Sequence, residues 1–280
     1  MKTLFADAEI IIRFSDLLDM SVVSGIRALQ ELAPETGAAV HPVADGYAVY
    51  AVATGLESAV GSRVTGLGMH GPVTPAHFEE AEAFFAARNA PCAVSVFPTA
   101  HPSVIQIAAM RGYALVAFRN VLARYISPED AEGEDDAGPV VVSRLAPEDE
   151  PLWSRVARSS FEGQERDEGS LFFAAMYRCP DTAYYLARLE GEPAGCGAMT
   201  IRDGMAYIWA VGTRPSMRRR GVQLAVYRTL VREAARAGCD AASLGTEVGH
   251  VSQRNAERAG FRLICTGAGI VRPLRTQESK

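Results

Sequence analysis

One stretch decides the fold, and it runs Ala206-Tyr-Ile-Trp-Ala-Val-Gly-Thr-Arg-Pro-Ser-Met-Arg-Arg-Arg-Gly-Val-Gln-Leu-Ala225. The β-prone residues up to Val211 predict a strand, Pro215 breaks it, and an amphipathic helix is predicted to begin at Val222. Three arginines and Gly221 stand just before that helix. A helix N-terminus exposes unpaired N–H groups, glycine lets an anion approach the backbone, and arginine binds phosphate oxygens. The stretch therefore predicts a phosphate-binding turn.

Residues 206–225 contain neither of two common phosphate-binding patterns, GxxxxGK[ST] and GxGxxG. Taken alone, the arginines before Gly221 are also compatible with a basic surface turn that leads into an ordinary helix. A second helix is predicted further along the chain, and it ends in Gly-Phe: Ser252-Gln-Arg-Asn-Ala-Glu-Arg-Ala-Gly-Phe261.

Together the two segments resemble the Gcn5-related N-acetyltransferase (GNAT) family over residues 140–272. The family's acetyl-CoA signature is Gln/Arg-x-x-Gly-x-Gly/Ala. This chain matches it at Arg218 and Gly221 and departs from it at Gln223. The resemblance implies a V-shaped gap between two parallel strands, where the acyl thioester and pantetheine lie. It places the pyrophosphate on the backbone amides of residues 219–224.

The resemblance therefore implies acetyl-CoA (coenzyme A) as the co-substrate. The residues expected to bind it lie at the strand end, in the arginine turn and on the two helices. They are Ala210, Val211, Arg218, Arg219, Arg220, Gly221, Val222, Gln223, Leu224, Ala225 and Asn255. No metal is expected, because the five histidines and five cysteines show no zinc-ligand spacing.

The catalytic group is less clearly marked. Many GNAT relatives carry a tyrosine four residues before Gly-Phe as general acid, and this chain has Ala256 there. Asn255 is a candidate for holding water or pantetheine. Glu247 is a candidate base, acting directly or through water, and its alternative is a solvent-exposed loop carboxylate. A neutral amine that is held close to the thioester can react largely through proximity. The missing tyrosine therefore leaves the prediction of the proton-transfer mechanism weaker, but it affects the prediction of the enzyme class less.

No feature identifies the acceptor, and small amines, amino acids, aminoglycosides and protein N-termini all remain open. Tyr207 and Trp209 alternate on one strand and should point to one face, either as core or as a pocket wall. The polar run at residues 161–168 either binds a cationic acceptor or is a solvated surface.

The two halves of the chain resemble each other in their predicted elements. A shift of 148 residues places Gly112 on Gly260 and Arg124 on Arg272. The same shift places His70-Gly-Pro-Val73 opposite the arginine turn, where the arginines are missing and Pro72 has no N–H. We therefore expect the N-terminal half to lack a cofactor site and to shape the acceptor cleft.

An acidic, proline-flanked segment separates the halves: Pro128-Glu-Asp-Ala-Glu-Gly-Glu-Asp-Asp-Ala-Gly-Pro139. The predicted domains are a degenerate GNAT-like unit (1–127), a linker (128–139) and an acetyl-CoA-binding GNAT domain (140–280). The expected fold class is α/β (α+β), with a mixed, mostly antiparallel sheet and helices on both faces in each domain. The predicted order in the second half is β-α-α-β-β-β-α-β-α-β-β.

Composition sets outer limits on the function. The 280 residues are 48% hydrophobic and 22% charged, and no apolar run approaches the ~18 residues that cross a bilayer. The first residues lack the pattern of a secretion signal. The net charge of −5 argues against general affinity for nucleic acid or an acidic membrane surface. An odd number of scattered cysteines favours reduced thiols in the cytoplasm, and no feature indicates the oligomeric state.

Three functions are compatible with these patterns. The first is acyl transfer from acetyl-CoA to an amine. The second is a pseudoenzyme that senses acyl-CoA without turnover, which is consistent with Ala256. The third is a scaffold without ligand affinity, and the arginine cluster disfavours it.

Overall fold

The computed structural model describes residues 8–51, 62–132 and 138–273. Its first element is a long helix, α1 (Ala8–Leu32), which buries an apolar stripe that includes Ile10, Phe14 and Leu17. The other elements of the N-terminal half are β1 (Ala39–Val43), β2 (Gly46–Tyr50), β3 (Arg63–Thr65), α2 (Pro75–Ala86), β4 (Cys92–Val96), α3 (Ser103–Met110) and β5 (Ala114–Tyr125). None of the helices among the described residues is both long and apolar enough to cross a membrane.

The C-terminal half begins beyond the acidic segment, of which residues 133–137 lie outside the described residues. Its elements are β6 (Val140–Arg144), α4 (Glu150–Glu162), α5 (Leu171–Met176), β7 (Thr182–Leu189), β8 (Glu192–Arg202), β9 (Met205–Thr213), α6 (Val222–Arg236), β10 (Ala241–Glu247), α7 (Val251–Arg258) and β11 (Arg262–Arg272). The start of α6 at Val222 agrees with the sequence prediction.

The predicted order is wrong at its end, because one strand, β11, replaces the two expected there. Two glycines inside β11 do not interrupt the strand, and each allows a residue of a neighbouring strand or loop to lie close to it. A Cβ at Gly267 would lie 3.0 Å from the Phe97 ring, and one at Gly269 would lie 3.3 Å from the Cβ of Ala117.

The internal repeat is present in the elements themselves. The starts of α3 and α7, at Ser103 and Val251, are separated by the same 148 residues as the starts of β5 and β11. The two helices also have matching caps. His101 Nδ1 accepts from the Ser103 amide, and His250 Nδ1 accepts from the Ser252 amide.

The eleven strands of the described residues all belong to one sheet, in the order β1-β2-β3-β4-β11-β5-β10-β9-β8-β7-β6. The last strand of each half is exchanged: β5 pairs with β10 of the C-terminal half, and β11 pairs with β4 of the N-terminal half, both antiparallel. The two exchanged strands also pair with each other from Arg262↔Ala123 to Val271↔Ala114. The mixed α/β architecture is confirmed, and the halves share one continuous sheet.

Helix α1 bridges the halves on one face of this sheet. It packs beside α5, where a Cβ at Gly25 would lie 2.2 Å from the Met176 sulfur, so a larger residue there would require the Met176 side chain to move. The hydroxyl of Ser21 on α1 also lies 3.3 Å from that of Thr200 on β8. One hydrophobic core therefore contains residues of α1, β5, β9 and β10 together.

Candidate functional site

The candidate site lies where β9 and β10 separate. These parallel strands pair only from Ala241↔Met205 to Ser243↔Tyr207. Beyond this point β9 bulges, since Ala210 and Val211 both lie opposite Gly197 of β8, and Ala210 has a positive φ of 51°. The two strands therefore diverge and leave a gap between them.

The N-terminus of α6 faces the open end of this gap. Its N-cap, Gly221, has φ 81° and supplies no side-chain cap. The amides of the first turn, from Val222 to Leu224, therefore have no intrahelical acceptor and are free to bind an anion. The helix lies close to β8, because a Cβ at Gly195 would meet Val222 Cγ1 at 2.7 Å and one at Gly197 would meet Val226 Cγ1 at 2.7 Å.

The three arginines before Gly221 differ in their surroundings. Arg218 bonds back into the protein, with Nη2 donating to the Ser160 carbonyl at 3.2 Å. Arg220 forms an ion pair of 2.7 Å with Glu190, and both side chains are exposed. Arg219 has φ 63° and makes no hydrogen bond or ion pair with any described residue. It is therefore the arginine best placed to receive a phosphate group.

The side chains of Gln223 and Asn255 meet beside the gap. Gln223 Nε2 donates to the Val211 carbonyl at 3.1 Å, and Asn255 Nδ2 donates to Gln223 Oε1 at 2.7 Å. This bridge joins β9, α6 and α7. Leu224 and Ala225 are half-buried against the core beneath the helix.

Three buried hydroxyls near the gap lack partners. No hydrogen-bond partner among the described residues is present for Thr213 Oγ1 at the end of β9, for Ser243 Oγ where β10 leaves β9, or for Thr246 Oγ1 near the end of β10. Buried hydroxyls normally bond to something. Together with the free amides of α6, they fit a polar, phosphorylated ligand lying along the gap.

The two catalytic candidates lie on opposite faces of the sheet. Alternation along β10 places Glu247 on the α1 face, and its side chain is exposed without a partner among the described residues. Asn255 lies on the α6 face. Ala256, at the position of the expected tyrosine, is fully buried on the inner side of α7. No described residue joins Glu247 to Asn255.

Tyr207 and Trp209 both pack in the core, on the face that sequence alternation predicts. The Tyr207 ring meets Phe14 of α1 edge-on at 5.5 Å, and Trp209 Nε1 donates to Thr200 Oγ1 at 3.0 Å. Trp209 is only half-buried.

The polar run at residues 161–168 is tied to the arginine turn. Glu165 accepts from the side chains of Arg214, at 2.8 Å, and Ser216, at 2.7 Å. Burial raises the Glu165 pKa, but these hydrogen bonds outweigh it and the pKa falls below its usual range. Glu162 is likewise paired, with Arg158 and Arg166. These carboxylates are therefore not free to bind a cationic acceptor.

The corresponding turn of the N-terminal half is filled by the protein's own groups. Asp45 accepts from the amides of Gly68 and His70, and the Ser103 hydroxyl accepts from the Val73 amide at 2.9 Å. Proline occupies the first position of α2 and has no N–H to offer. An incoming anion would find few free donors and a carboxylate nearby.

A buried charged cluster lies between the halves, and the sequence patterns did not identify it. Asp19 of α1 accepts from the Thr65 hydroxyl, and burial raises the Asp19 pKa to about 7. Burial, and then the charge of Arg119, lower the pKa of Arg63 to about 10. Burial raises the Tyr207 pKa to about 12. These residues come from four separate elements, so no local spacing could reveal them.

Comparison with known proteins agrees with this geometry. The model of the acetyltransferase (GNAT) family matches residues 150–261. Residues 150–261 are therefore similar to a GNAT domain. No curated protein sequence matches the chain.

Solved GNAT structures match the chain across both halves. A GCN5-related N-acetyltransferase from Kribbella flavida has 19% identity and a TM-score of 0.59, covering 90% of this chain and 96% of its own. One from Sphaerobacter thermophilus has 15% identity and a TM-score of 0.58, covering 83% and 78%. A tandem GNAT protein from the clavulanic acid biosynthesis pathway has 12% identity and a TM-score of 0.56, covering 95% of each chain. The N-terminal half is therefore GNAT-like by fold.

Proposed function

We propose that this GNAT protein transfers an acyl group from acetyl-CoA to the amine of an acceptor. The observation that carries the proposal is the gap between β9 and β10, which opens onto the free amides of α6 and the unpaired Arg219. The pyrophosphate would lie on the amides of residues 219–224, and Thr213 and Thr246 would gain polar partners along the gap.

Acetyl-CoA supplies an activated acyl thioester. The new N–C bond forms as the C–S bond breaks, and the proton lost by the amine ends on the departing sulfur. Glu247 is the candidate to carry this proton, directly or through water. Asn255, held by Gln223, is the candidate to hold the pantetheine or a water. Positioning supplies much of the rate, because the attacking amine must be neutral and close to the carbonyl carbon.

The N-terminal half is proposed to be a degenerate unit that shapes the acceptor cleft. Its occupied turn at Gly68–Val73 supports the loss of a cofactor site. Helix α1, which packs against β9 and α5, supports its role in the cleft. We propose the cytoplasm as the compartment, and the five free cysteines support it.

A non-catalytic acyl-CoA sensor is the second candidate, favoured by one observation. Ala256 is fully buried and can't donate a proton to the departing thiolate. Release of free coenzyme A thiol with a panel of amines separates the two functions. A sensor would bind coenzyme A without any turnover.

The cofactor assignment is tested by replacing Arg219 with alanine. We expect Arg219→Ala to weaken coenzyme A binding about 10-fold or more in calorimetry, because a charge-assisted contact to phosphate is lost. The matched control is Arg236→Ala at the other end of α6, where the arginine pairs with Glu233. Equal affinities of the two variants would contradict the assignment.

A further inference from the structure

Arg119 of β5 lies on the face of the sheet that α1 covers, at the border of the two halves. In the sheet it stands between Glu247 of β10 and Gly267 of β11. Its Cδ lies 3.6 Å from the place where a Cβ of Gly245 would be, and the Phe14 ring lies 3.7 Å from the same place. Because Gly245 has no side chain, the stem of Arg119 lies across β10, toward the strand gap.

The guanidinium of Arg119 forms no ion pair within the part of the chain that the structure describes, although Glu247 stands opposite it in the sheet. It is partly reachable by solvent and makes no hydrogen bond or ion pair with any described residue. A second guanidinium, that of Arg63, is close enough for its pKa to be lowered by Arg119. The buried carboxyl beside them, Asp19, has a pKa of about 7 and is therefore only partly ionised near neutral pH.

We propose that Arg119 binds a carboxylate of the acceptor, so that the acceptor is an amine that also bears a carboxylate. This inference rests on the proposed acyl transfer. The strand order supplies the orientation: β5 carries Arg119, β10 carries Glu247 on the same face, and the gap lies beyond β10. An acceptor anchored at Arg119 thus presents its amine to Glu247 and to the gap.

A carboxylate fits the surroundings of Arg119 better than a phosphate does. One free guanidinium offers a planar fork that matches the two oxygens of a carboxylate. Phosphate sites usually also contain a helix N-terminus or a series of free backbone amides. Arg119 instead lies among paired strands, whose amides are already hydrogen-bonded to one another.

The test measures coenzyme A release from acetyl-CoA with pairs of acceptors. Each pair is an amino acid and the amine that lacks its carboxylate, for example glycine with methylamine, β-alanine with ethylamine, and lysine with cadaverine. Phosphoethanolamine is added as a phosphate-bearing amine. We expect a carboxylated acceptor to have a higher kcat/KM than its partner. In Arg119→Gln this preference should fall about 10- to 100-fold, mainly through KM. Arg119→Lys should restore part of it.

Coenzyme A affinity is measured on every variant, so that failure of the two proposals can be told apart. We expect Arg119→Gln to bind coenzyme A as the wild type does. Arg202→Gln, an exposed arginine on β8, is the matched control and should keep the preference. If coenzyme A binds and no carboxylated acceptor exceeds its partner, or if phosphoethanolamine is preferred, the carboxylate site is wrong. Loss of coenzyme A binding in the wild type would instead overturn the proposed function.

Discussion

At the scale of single residues, Gln223 departs from the family pattern without removing the backbone donor. Its amide belongs to the free first turn of α6, while its side chain occupies the Val211 carbonyl and holds Asn255. A glycine or alanine at this position would leave that carbonyl open. The substitution therefore changes the wall of the gap and leaves the backbone amides of the proposed phosphate-binding turn unchanged.

Asp19 makes stability depend on pH. The folded pKa is about 7, raised mainly by burial, whereas an unfolded aspartate titrates near pH 4. Between these values the unfolded chain releases the proton first, so the free energy of unfolding falls as pH rises. Asp19→Asn removes this titration. From pH 5 to pH 8 we expect the wild type to lose about 2–3 kcal/mol more than the variant in urea unfolding.

The control for this prediction is Glu31→Gln, an exposed carboxylate on the same helix. Its unfolding free energy should follow the wild-type pH dependence. The groups nearest Asp19 are Thr65, Arg63, Asp16 and Asp45, and both variants leave them unchanged. Parallel wild-type and Asp19→Asn curves would contradict the raised pKa.

At the scale of elements, the position of α6 depends on glycines in the strand beneath it. A Cβ at Gly195 of β8 would lie 2.7 Å from the Gly212 carbonyl oxygen and 2.7 Å from Val222 Cγ1. The first neighbour is backbone and the second is in the first turn of α6. A side chain at this position would push the N-terminal end of α6, where we propose that phosphate binds, away from the sheet.

We therefore expect Gly195→Ala to reduce both stability and cofactor affinity. Overpacking of this kind typically costs about 1–3 kcal/mol, which urea unfolding would detect, and calorimetry should show weaker coenzyme A binding. Gly71→Ala is the control, because a Cβ there meets nothing within 4 Å and the residue lies in the corresponding turn of the other half. An unchanged Gly195→Ala protein would show that α6 doesn't depend on this contact.

Local sequence patterns predicted the helices and strands well, but they did not predict which strands lie side by side in the sheet. The start of α6, the α7 helix ending in Gly-Phe and the 148-residue shift between β5 and β11 follow from periodicity, caps and repeats. The exchange of β5 and β11 could not be predicted, because the sequence pattern of an apolar strand does not specify which strand lies beside it. The Asp19–Arg63–Arg119 cluster could not be predicted either, because its residues come from α1, β3 and β5, which are far apart in the sequence.

At the scale of the whole molecule, the exchanged strands hold the halves together without the linker. Cleavage at a protease site inserted within residues 133–137 should therefore leave both fragments in one particle. Size-exclusion chromatography in native buffer would show a single peak at the elution volume of the uncut chain, and the same sample in urea should separate. Two half-size species in native buffer would contradict the exchange.

The exchange of β5 and β11 has a consequence for biosynthesis. The ribosome adds β11 after all the other described strands, so β4 and β5 leave it with open edges at the place that β11 will fill. Open strand edges are the sites at which nascent chains aggregate. The first half therefore cannot mature in order of synthesis, as most N-terminal domains do. A stop codon only a dozen or so residues before Arg272 would leave both halves unfinished.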